Sequence, residues 1–358
     1  MDITIAGTGG RVSRIAFGPL SGLAAELEIK RTVIVTDGLL RRVHGSEFPP
    51  CPVIEVERGE AAKSLAALET LYGRFLDLGL GRDSLVLAIG GGAISDLAGF
   101  AASTWLRGVG FGFAPTTLLA MVDASVGGKN GVDFRGLKNL VGTFSQPDFV
   151  RMDVSLLATL PDVEFASGMA EVVKHAVLAG GSYFELVEAA ARRGAGEGRR
   201  PSPAELEAIV SGSVELKALV VSRDEKESGE RRKLNLGHSV GHGIEAATGL
   251  PHGHSVAAGL GTICRLAVRK GRMRAEECDR ITRLLGAWGL PSSISAATAL
   301  APARGDGSAL RASIAAAIAA DKKRRGADIL VALPEALGSV SVEAMNLAEL
   351  QAYVMEAP

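Results

Sequence analysis

Four of the six histidines, His238, His242, His252 and His254, lie within one short stretch of the chain. Imidazole nitrogen is the commonest side-chain ligand of divalent metals, and His238 and His242 have the four-residue spacing that puts two rings on one helix face. Hydrolytic zinc enzymes use that spacing with a glutamate base between the histidines, and this segment has none. Upstream, Glu171, Lys174 and His175 stand at helical spacing, so a carboxylate and an ammonium share a face. An ion pair without a function explains those two equally well. A metal held by Glu171, His238 and one of the two later histidines keeps coordination positions open, as a catalytic ion requires. A lone histidine would read as a packed core residue; four in one segment favour ligation.

The second chemical signal is LVLAIGGGAISD, residues 85–96, an apolar strand running into three glycines and then a helix. Without side chains, that turn lets backbone amides approach a pyrophosphate, and the following helix terminus favours its charge. A tight strand-to-helix turn with no ligand explains the same glycines. A phosphate turn and a metal centre in one chain describe redox chemistry on a polyol. Gly7 to Gly10 reads as a hairpin turn. Asp37 ends an early strand, where an acid can accept ribose hydroxyls, and Glu60 with Lys63 opens a helix, where a cap or surface ion pair is the plainer reading.

Charged and small polar residues then interrupt apolar sequence at Arg107, Thr116, Thr117, Asp123, Lys129, Lys138 and Asn139. Burying Asp123 or Lys129 unpaired is costly, so they should face each other or a charged ligand. Arg107, Lys129, Lys138 and Asn139 suit a phosphorylated or carboxylated substrate, with structural ion pairs as the alternative. Further on come Lys217, residues 223–227 and Arg231 to Lys233, many of which a solvated helix face explains. It does not explain Asn235 and His238, which alternate with apolar residues in LNLGH.

These residues must be carried by regular elements. Short apolar runs at Val33–Thr36, Val53–Val56, Leu85–Ile89 and Phe111–Ala114, separated by helical patterns such as Ala61–Leu78, predict a parallel α/β sheet. After about Leu160 the spacing is mostly helical, in Glu164–Leu178, Pro203–Ser222, Ser255–Lys270 and Leu310–Lys323, with one late strand at Ile329–Leu333. The expectation is two domains, 1–160 α/β and 161–358 helical, with loops at Arg192–Pro203 and Ala301–Ser308. A net charge of -1 over 358 residues excludes an electrostatic bias toward nucleic acid. No apolar stretch reaches bilayer length and no leader pattern opens the chain, so the reading is cytoplasmic, without membrane partners. Cys51, Cys264 and Cys278 fit neither a disulfide framework nor a zinc knuckle and read as buried free thiols.

In order along the chain, GGGAISDLAGF, TWLRG, PTTLLAMVDASVGGKNG, LKNLVG, TLP, GMAEVVKH, LNLGHSVGHGIEA, HGHSVAAGL and Asp321-Lys322-Lys323 resemble the 3-dehydroquinate synthases, a family within the sugar phosphate cyclases, which are related to glycerol dehydrogenases. The resemblance covers nearly the whole length. It implies a Rossmann-like NAD-binding domain, a mainly helical metal-binding domain and an active site in the cleft between them. Glu171, His238 and His252 would be the metal ligands, with His254 a possible substitute for His252 and zinc or cobalt the metal. NAD would sit on Asp37, Glu60, Lys63, Gly91, Gly92, Ala93, Asp96, Thr116, Thr117, Asp123 and Lys138, with Thr159 nearby. The substrate, a small phosphorylated sugar acid, would be held by Arg107, Asp123, Lys129, Asn139, Lys174, Lys217, Arg231, Asn235, His242 and Lys322.

The implied reaction converts 3-deoxy-D-arabino-heptulosonate 7-phosphate into 3-dehydroquinate and phosphate, in the shikimate pathway. Its steps are transient oxidation by NAD, β-elimination of phosphate, re-reduction and an intramolecular aldol closure. A homodimer is implied as well. The alternatives are a sibling cyclase acting on sedoheptulose 7-phosphate and an NAD-linked polyol dehydrogenase; Asn235 and Lys322 suit the carboxylated substrate. Ser95, Asn130, Asp133-Phe134 and His254 depart from the family pattern, which puts loop geometry and metal preference in question more than reaction class.

Overall fold

The β-branched runs of the amino-terminal half form strands in a computed structural model that describes residues 2–6, 12–195, 200–301, 307–319 and 324–358. The described elements there are β1 (Asp2–Ala6), β2 (Val12–Phe17), α1 (Leu23–Glu26), β3 (Thr32–Asp37), α2 (Gly38–His44), β4 (Val53–Val56), α3 (Leu65–Asp77), β5 (Leu85–Gly90), α4 (Gly92–Thr104), β6 (Gly110–Pro115), β7 (Lys129–Phe134), β8 (Leu137–Phe144) and β9 (Phe149–Met152). One sheet has the order β1-β2-β9-β6-β5-β3-β4, parallel throughout except for the antiparallel β1–β2 pair. Every residue of β3 is buried, as expected of a strand covered on both faces. Ile34, Leu87, Ile89 and Ala114 pack with Leu20, Leu23 and Leu156 in one core cluster.

Parallel pairing gathers strand carboxyl ends on one edge of the sheet, where α/β folds bind their ligands. Here that edge carries Asp37 and Gly90 at the ends of β3 and β5 and Thr116 just after β6, with Gly90 in register with Pro115. The helix expected from Ala61 starts later. Gly59, at φ 73°, opens a separate short 3-10 turn over Gly59–Ala62, and Ser64 then caps α3 by accepting the Ala67 amide at 3.1 Å.

The β7–β8 hairpin was not foreseen. Its two turn residues, Arg135 and Gly136, have φ 49° and φ 78°. Two positive φ angles in succession are the backbone of a primed hairpin turn, but Arg-Gly lacks the Asn-Gly or Asp-Gly signature of that turn.

The carboxy-terminal half is mainly helical: α5 (Asp162–Ala179), α6 (Gly181–Ala195), α7 (Pro203–Arg223), α8 (His238–Thr248), α9 (His252–Arg269), α10 (Ala275–Ala287), α11 (Ile294–Leu300), α12 (Gly307–Ala319) and α13 (Leu347–Glu356). It also has an antiparallel sheet of β10 (Arg324–Arg325), β11 (Asp328–Ala336) and β12 (Ser339–Asn346), of which the apolar pattern revealed only β11. Glycine lets α8 and α9 approach closely: a Cβ at Gly259 would lie 2.2 Å from the Gly237 carbonyl oxygen.

By internal contacts the chain divides into residues 1–160 with 217–226, and 161–216 with 227–358. Segment 217–226, which the sequence reading leaves in the second domain, therefore groups with the first. Cys51, Cys264 and Cys278 are buried free thiols, and among the described residues no helix is long and apolar enough to cross a membrane. Gly7 to Gly10 and Lys322 lie outside the described residues.

Candidate active site

Helix α5 buries three ionisable side chains in one turn: Glu171 and His175 at 0% exposure and Lys174 at 1%. Buried charge is tolerated only when paired or ligating. Glu171 Oε2 is in ion contact with Lys174 Nζ, as the three-residue spacing predicts. Its other oxygen, Oε1, has no hydrogen-bond partner among the described residues and lies 3.6 Å from His238 Nε2 and 3.7 Å from His252 Nε2. One donor atom from each of the three residues lies within 4.8 Å of the others.

Both imidazoles are oriented through their second nitrogen. Nδ1 of His238 stands 3.2 Å from the Leu236 carbonyl oxygen, and Nδ1 of His252 stands 2.9 Å from Glu245 Oε2. Each acceptor calls for the proton on Nδ1 and turns the Nε2 lone pair toward Glu171. A buried carboxylate oxygen converging with two imidazole nitrogens fits a divalent cation, and zinc or cobalt equally.

His254 is no part of this group. It lies two residues beyond His252 on α9, about 200° around the helix axis. It is buried, so that desolvation lowers its pKa. His242 lies one turn beyond His238 with its ring exposed, the two centroids 5.3 Å apart and edge to face. Arg231 is buried on the short 3-10 helix Glu230–Asn235, and Asn235 donates its amide to Glu227.

In the first unit, β5 ends at Gly90 and Gly91 caps α4 with no side-chain hydrogen bond, so capping leaves the amides of Gly92 and Ala93 for an anion. A Cβ on Gly91 would come within 3.1 Å of Thr117 Cγ2, and one on Gly92 within 3.1 Å of Ala124 Cβ. Thr116 donates its amide to Gly90 O at 2.9 Å, while Thr117 Oγ1 accepts the Ala120 amide at 3.1 Å. Asp37, expected at a ribose, uses Oδ1 to cap α2, accepting the amides of Leu39 and Leu40 at 2.8 and 2.9 Å. Two departures from the family pattern serve local structure: Ser95 Oγ donates to Gly91 O at 3.3 Å, and Asn130 Nδ2 donates to Ser145 O at 2.9 Å.

Lys63, Asp96 and Asn139, which the resemblance divides between cofactor and substrate, form one network. Lys63 Nζ lies 2.7 Å from Asp96 Oδ2 and donates to Asn139 Oδ1, whereas Glu60, the partner suggested by spacing, is exposed and 3.9 Å away. Burial works to lower the Lys63 pKa, but the charges of Asp96, Glu60 and Asp133 outweigh it and the net shift is upward. Burial raises the Asp96 carboxyl to about 6, against the opposing pull of Lys63.

A carboxyl whose pKa rises on folding binds a proton more tightly in the folded chain, so its contribution to stability falls as pH climbs from the unfolded value to the folded one. Asp96→Asn should therefore reduce the loss of stability between pH 4 and pH 6, read as urea midpoints across that window. Equal slopes in the two proteins would refute it.

Asp123 pairs with Lys217, which is buried at the start of segment 217–226, and Lys129 is exposed at the head of β7. Lys138 is exposed on β8. Arg107, also exposed, has φ 69° between Leu106 at 50° and Gly108 at 115°. That is a run of left-handed backbone strained at its two non-glycine residues. Thr159, expected beside NAD, has its hydroxyl 2.9 Å from Nε2 of His44, whose Nδ1 meets Glu47 at 2.9 Å.

Glu245, which meets His252, and His44, which meets Thr159, were not singled out in the sequence. A signal existed for Glu245: it stands two helical turns after His238, on the same face. None existed for His44, a single histidine at a helix end.

Two family models match the chain, 3-dehydroquinate synthase N-terminal over residues 53–167 and 3-dehydroquinate synthase C-terminal over residues 168–324. A 3-dehydroquinate synthase of Synechococcus sp. is 43% identical over 288 residues, 79% of this chain and 74% of that one. One of Pyrobaculum neutrophilum is 38% identical over 335 residues, 93% of this chain and 92% of that one. Among solved structures, a 2-epi-5-epi-valiolone synthase from Streptomyces hygroscopicus subsp. jinggangensis, with NAD+ and Zn2+ bound, superposes with a TM-score of 0.81 at 25% identity, over 96% of this chain and 95% of that one. A 2-deoxy-scyllo-inosose synthase complexed with carbaglucose-6-phosphate, NAD+ and Co2+ shares the fold, with a TM-score of 0.84 at 24% identity over the whole of both chains.

Proposed function

Because the chain belongs to the 3-dehydroquinate synthase family, we propose that it converts 3-deoxy-D-arabino-heptulosonate 7-phosphate into 3-dehydroquinate and phosphate. The observation that most supports this is the convergence of Glu171 Oε1 with Nε2 of His238 and His252, a catalytic type of donor set in a chain of that family. When bound, NAD would take a hydride from the substrate and return it, and a divalent cation would make the reacting hydroxyl easier to deprotonate.

The chain's own residues bind and orient. Glu171, His238 and His252 hold the cation. The side-chain-free turn at Gly91 and Gly92, with the first amides of α4, receives the pyrophosphate of NAD. Lys174, Arg231 and His242 hold the substrate phosphate, so that a phosphate oxygen is placed to remove the proton lost in β-elimination. Lys174 and Arg231 are both buried, which strengthens their attraction for an anion that reaches them. Asn235 and Lys322 suit the substrate carboxylate. The aldol closure then needs little beyond a held conformation.

A sibling cyclase or a simple dehydrogenase is not favoured, since the dehydroquinate synthases are 38% and 43% identical to this chain and the valiolone synthase 25%. The test is phosphate release by purified protein with catalytic NAD and added zinc or cobalt, offering the heptulosonate phosphate beside sedoheptulose 7-phosphate. Turnover of the first alone, stopped by chelator and without net NADH, is the expected result. Preference for sedoheptulose 7-phosphate, or NADH accumulating with turnover, would overturn the assignment. A cytoplasmic homodimer is part of the same proposal, and sedimentation of the purified enzyme as a monomer would count against the dimer.

A further inference from the structure

We infer that Glu245 is a positioning residue of the metal site, which fixes the His252 ring through Nδ1 and supplies negative charge beside a cation whose carboxylate ligand is shared with Lys174. The inference rests on the reading of Glu171, His238 and His252 as metal ligands.

The geometry comes from the corner between α8 and α9. Gly249, in the left-handed region at φ 69°, ends α8, and Pro251 precedes the first residue of α9. This short return places Glu245, in the last turn of α8, against His252, with Oε2 2.9 Å from Nδ1. The Glu245 side chain is only 13% exposed. Salt and water therefore screen the contact poorly.

Two features give that contact more than a packing role. The first is freedom of the ring. The side chain of His252 is 30% exposed, against 11% for His238 and 0% for Glu171, so packing constrains it least of the three. A charged acceptor on Nδ1 selects one ring orientation, with Nε2 directed at Glu171, and in the neutral ring it keeps the proton on Nδ1. Nδ1 of His238, whose side chain is held more closely by its surroundings, stands 3.2 Å from the neutral Leu236 carbonyl.

The second is charge. Glu171 is the anionic member of the donor set, and Lys174 is in ion contact with it at the same depth. An ammonium that close offsets much of the attraction a divalent cation would feel. Glu245 restores negative charge through a ligand, and a carboxylate accepting from Nδ1 also makes the imidazole a stronger donor.

The experiment strips the purified protein with chelator and titrates Zn2+ and Co2+ in competition with a chromophoric chelator. Wild type, Glu245→Gln and Glu245→Ala are compared, with the visible absorption of the Co2+ form and the melting temperature of the metal-free form recorded. Gln is near in shape and can accept from Nδ1 without the charge; Ala removes both. Affinity should fall about 10-fold in E245Q and about 100-fold in E245A, the range found for outer partners of metal-bound histidine. The Co2+ spectrum should change in E245A while the metal-free melting temperatures stay close.

Equal affinities in all three proteins would overturn the proposal. So would a lower metal-free melting temperature with unchanged affinity, which would make Glu245 only a staple across the helix corner. If wild-type protein takes up no stoichiometric metal, the ligand set itself is wrong and this proposal falls with it, an outcome distinct from the other two.

Discussion

Replacing Glu171 with glutamine is expected to abolish stoichiometric metal uptake, to slow turnover by about a thousandfold and to destabilise the folded chain by about 3–5 kcal/mol. The rate estimate follows from the several kcal/mol of charge stabilisation that a catalytic cation supplies, each decade of rate being worth about 1.4 kcal/mol. The stability estimate has a different origin. Lys174 is 1% exposed and in ion contact with Glu171. The amide therefore leaves a buried ammonium without its counter-charge.

The two effects separate in a double variant. Glu171→Gln with Lys174→Met removes both charges and should recover most of the lost stability, since a buried pair is replaceable by packed uncharged groups. It should recover neither metal nor turnover. Metal content by elemental analysis and thermal melting of the single and double variants check this. Wild-type metal content in E171Q would remove Glu171 from the ligand set.

Gly253→Ala should weaken metal binding although residue 253 ligates nothing. A Cβ there would lie 2.0 Å from the Ser167 carbonyl oxygen and 2.6 Å from its carbonyl carbon and Cα. These are backbone atoms of α5 and cannot rotate away. Gly253 also donates its own amide to Ser167 Oγ at 2.9 Å, which holds the start of α9 against α5. Relieving the overlap must part the two helices, or break that bond.

Glu171 lies one turn beyond Ser167 and His252 directly precedes Gly253, so the same movement widens the 3.7 Å approach of His252 Nε2 to Glu171 Oε1. Overpacking of this kind costs about 1–3 kcal/mol. A metal site that demands its geometry within a few tenths of an ångström should lose at least about tenfold in affinity as well. Gly73→Ala is the control. It lies in α3 with nothing within 4 Å of a new Cβ. Alanine there should be neutral or stabilising by up to about 1 kcal/mol. If G253A melts and binds zinc as wild type does, the close approach of α5 and α9 has no bearing on the site.

What could be read in advance follows from periodicity. The runs at 33–36, 53–56, 85–89 and 111–114 appear as β3, β4, β5 and β6, and the helical spacing of 164–178 and 203–222 as α5 and α7, because a strand buried on both faces is a short continuous apolar run and an amphipathic helix repeats every three to four residues. The three glycines at 90–92 stand at a strand end and helix start for the same local reason. What was missed lacks such a repeat: the β7–β8 hairpin turns on Arg-Gly, and β12 has no continuous apolar run to mark it.

The sequence by itself determined the chemical inventory of this protein, its strand-then-helix order and its family, since ordered motifs and short-range spacing are properties of the chain alone. Only the tertiary structure decided that His252 rather than His254 turns toward Glu171, that Lys63 holds Asn139, that Asp123 answers Lys217, and that Glu245 stands behind His252. The Lys63 and Asp123 contacts join residues 76 and 94 positions apart, Glu171 and His252 are as widely separated, and no local period encodes where two such segments meet. Their meeting is decided by packing, in particular by the glycines that let α9 lie against α5 and α8.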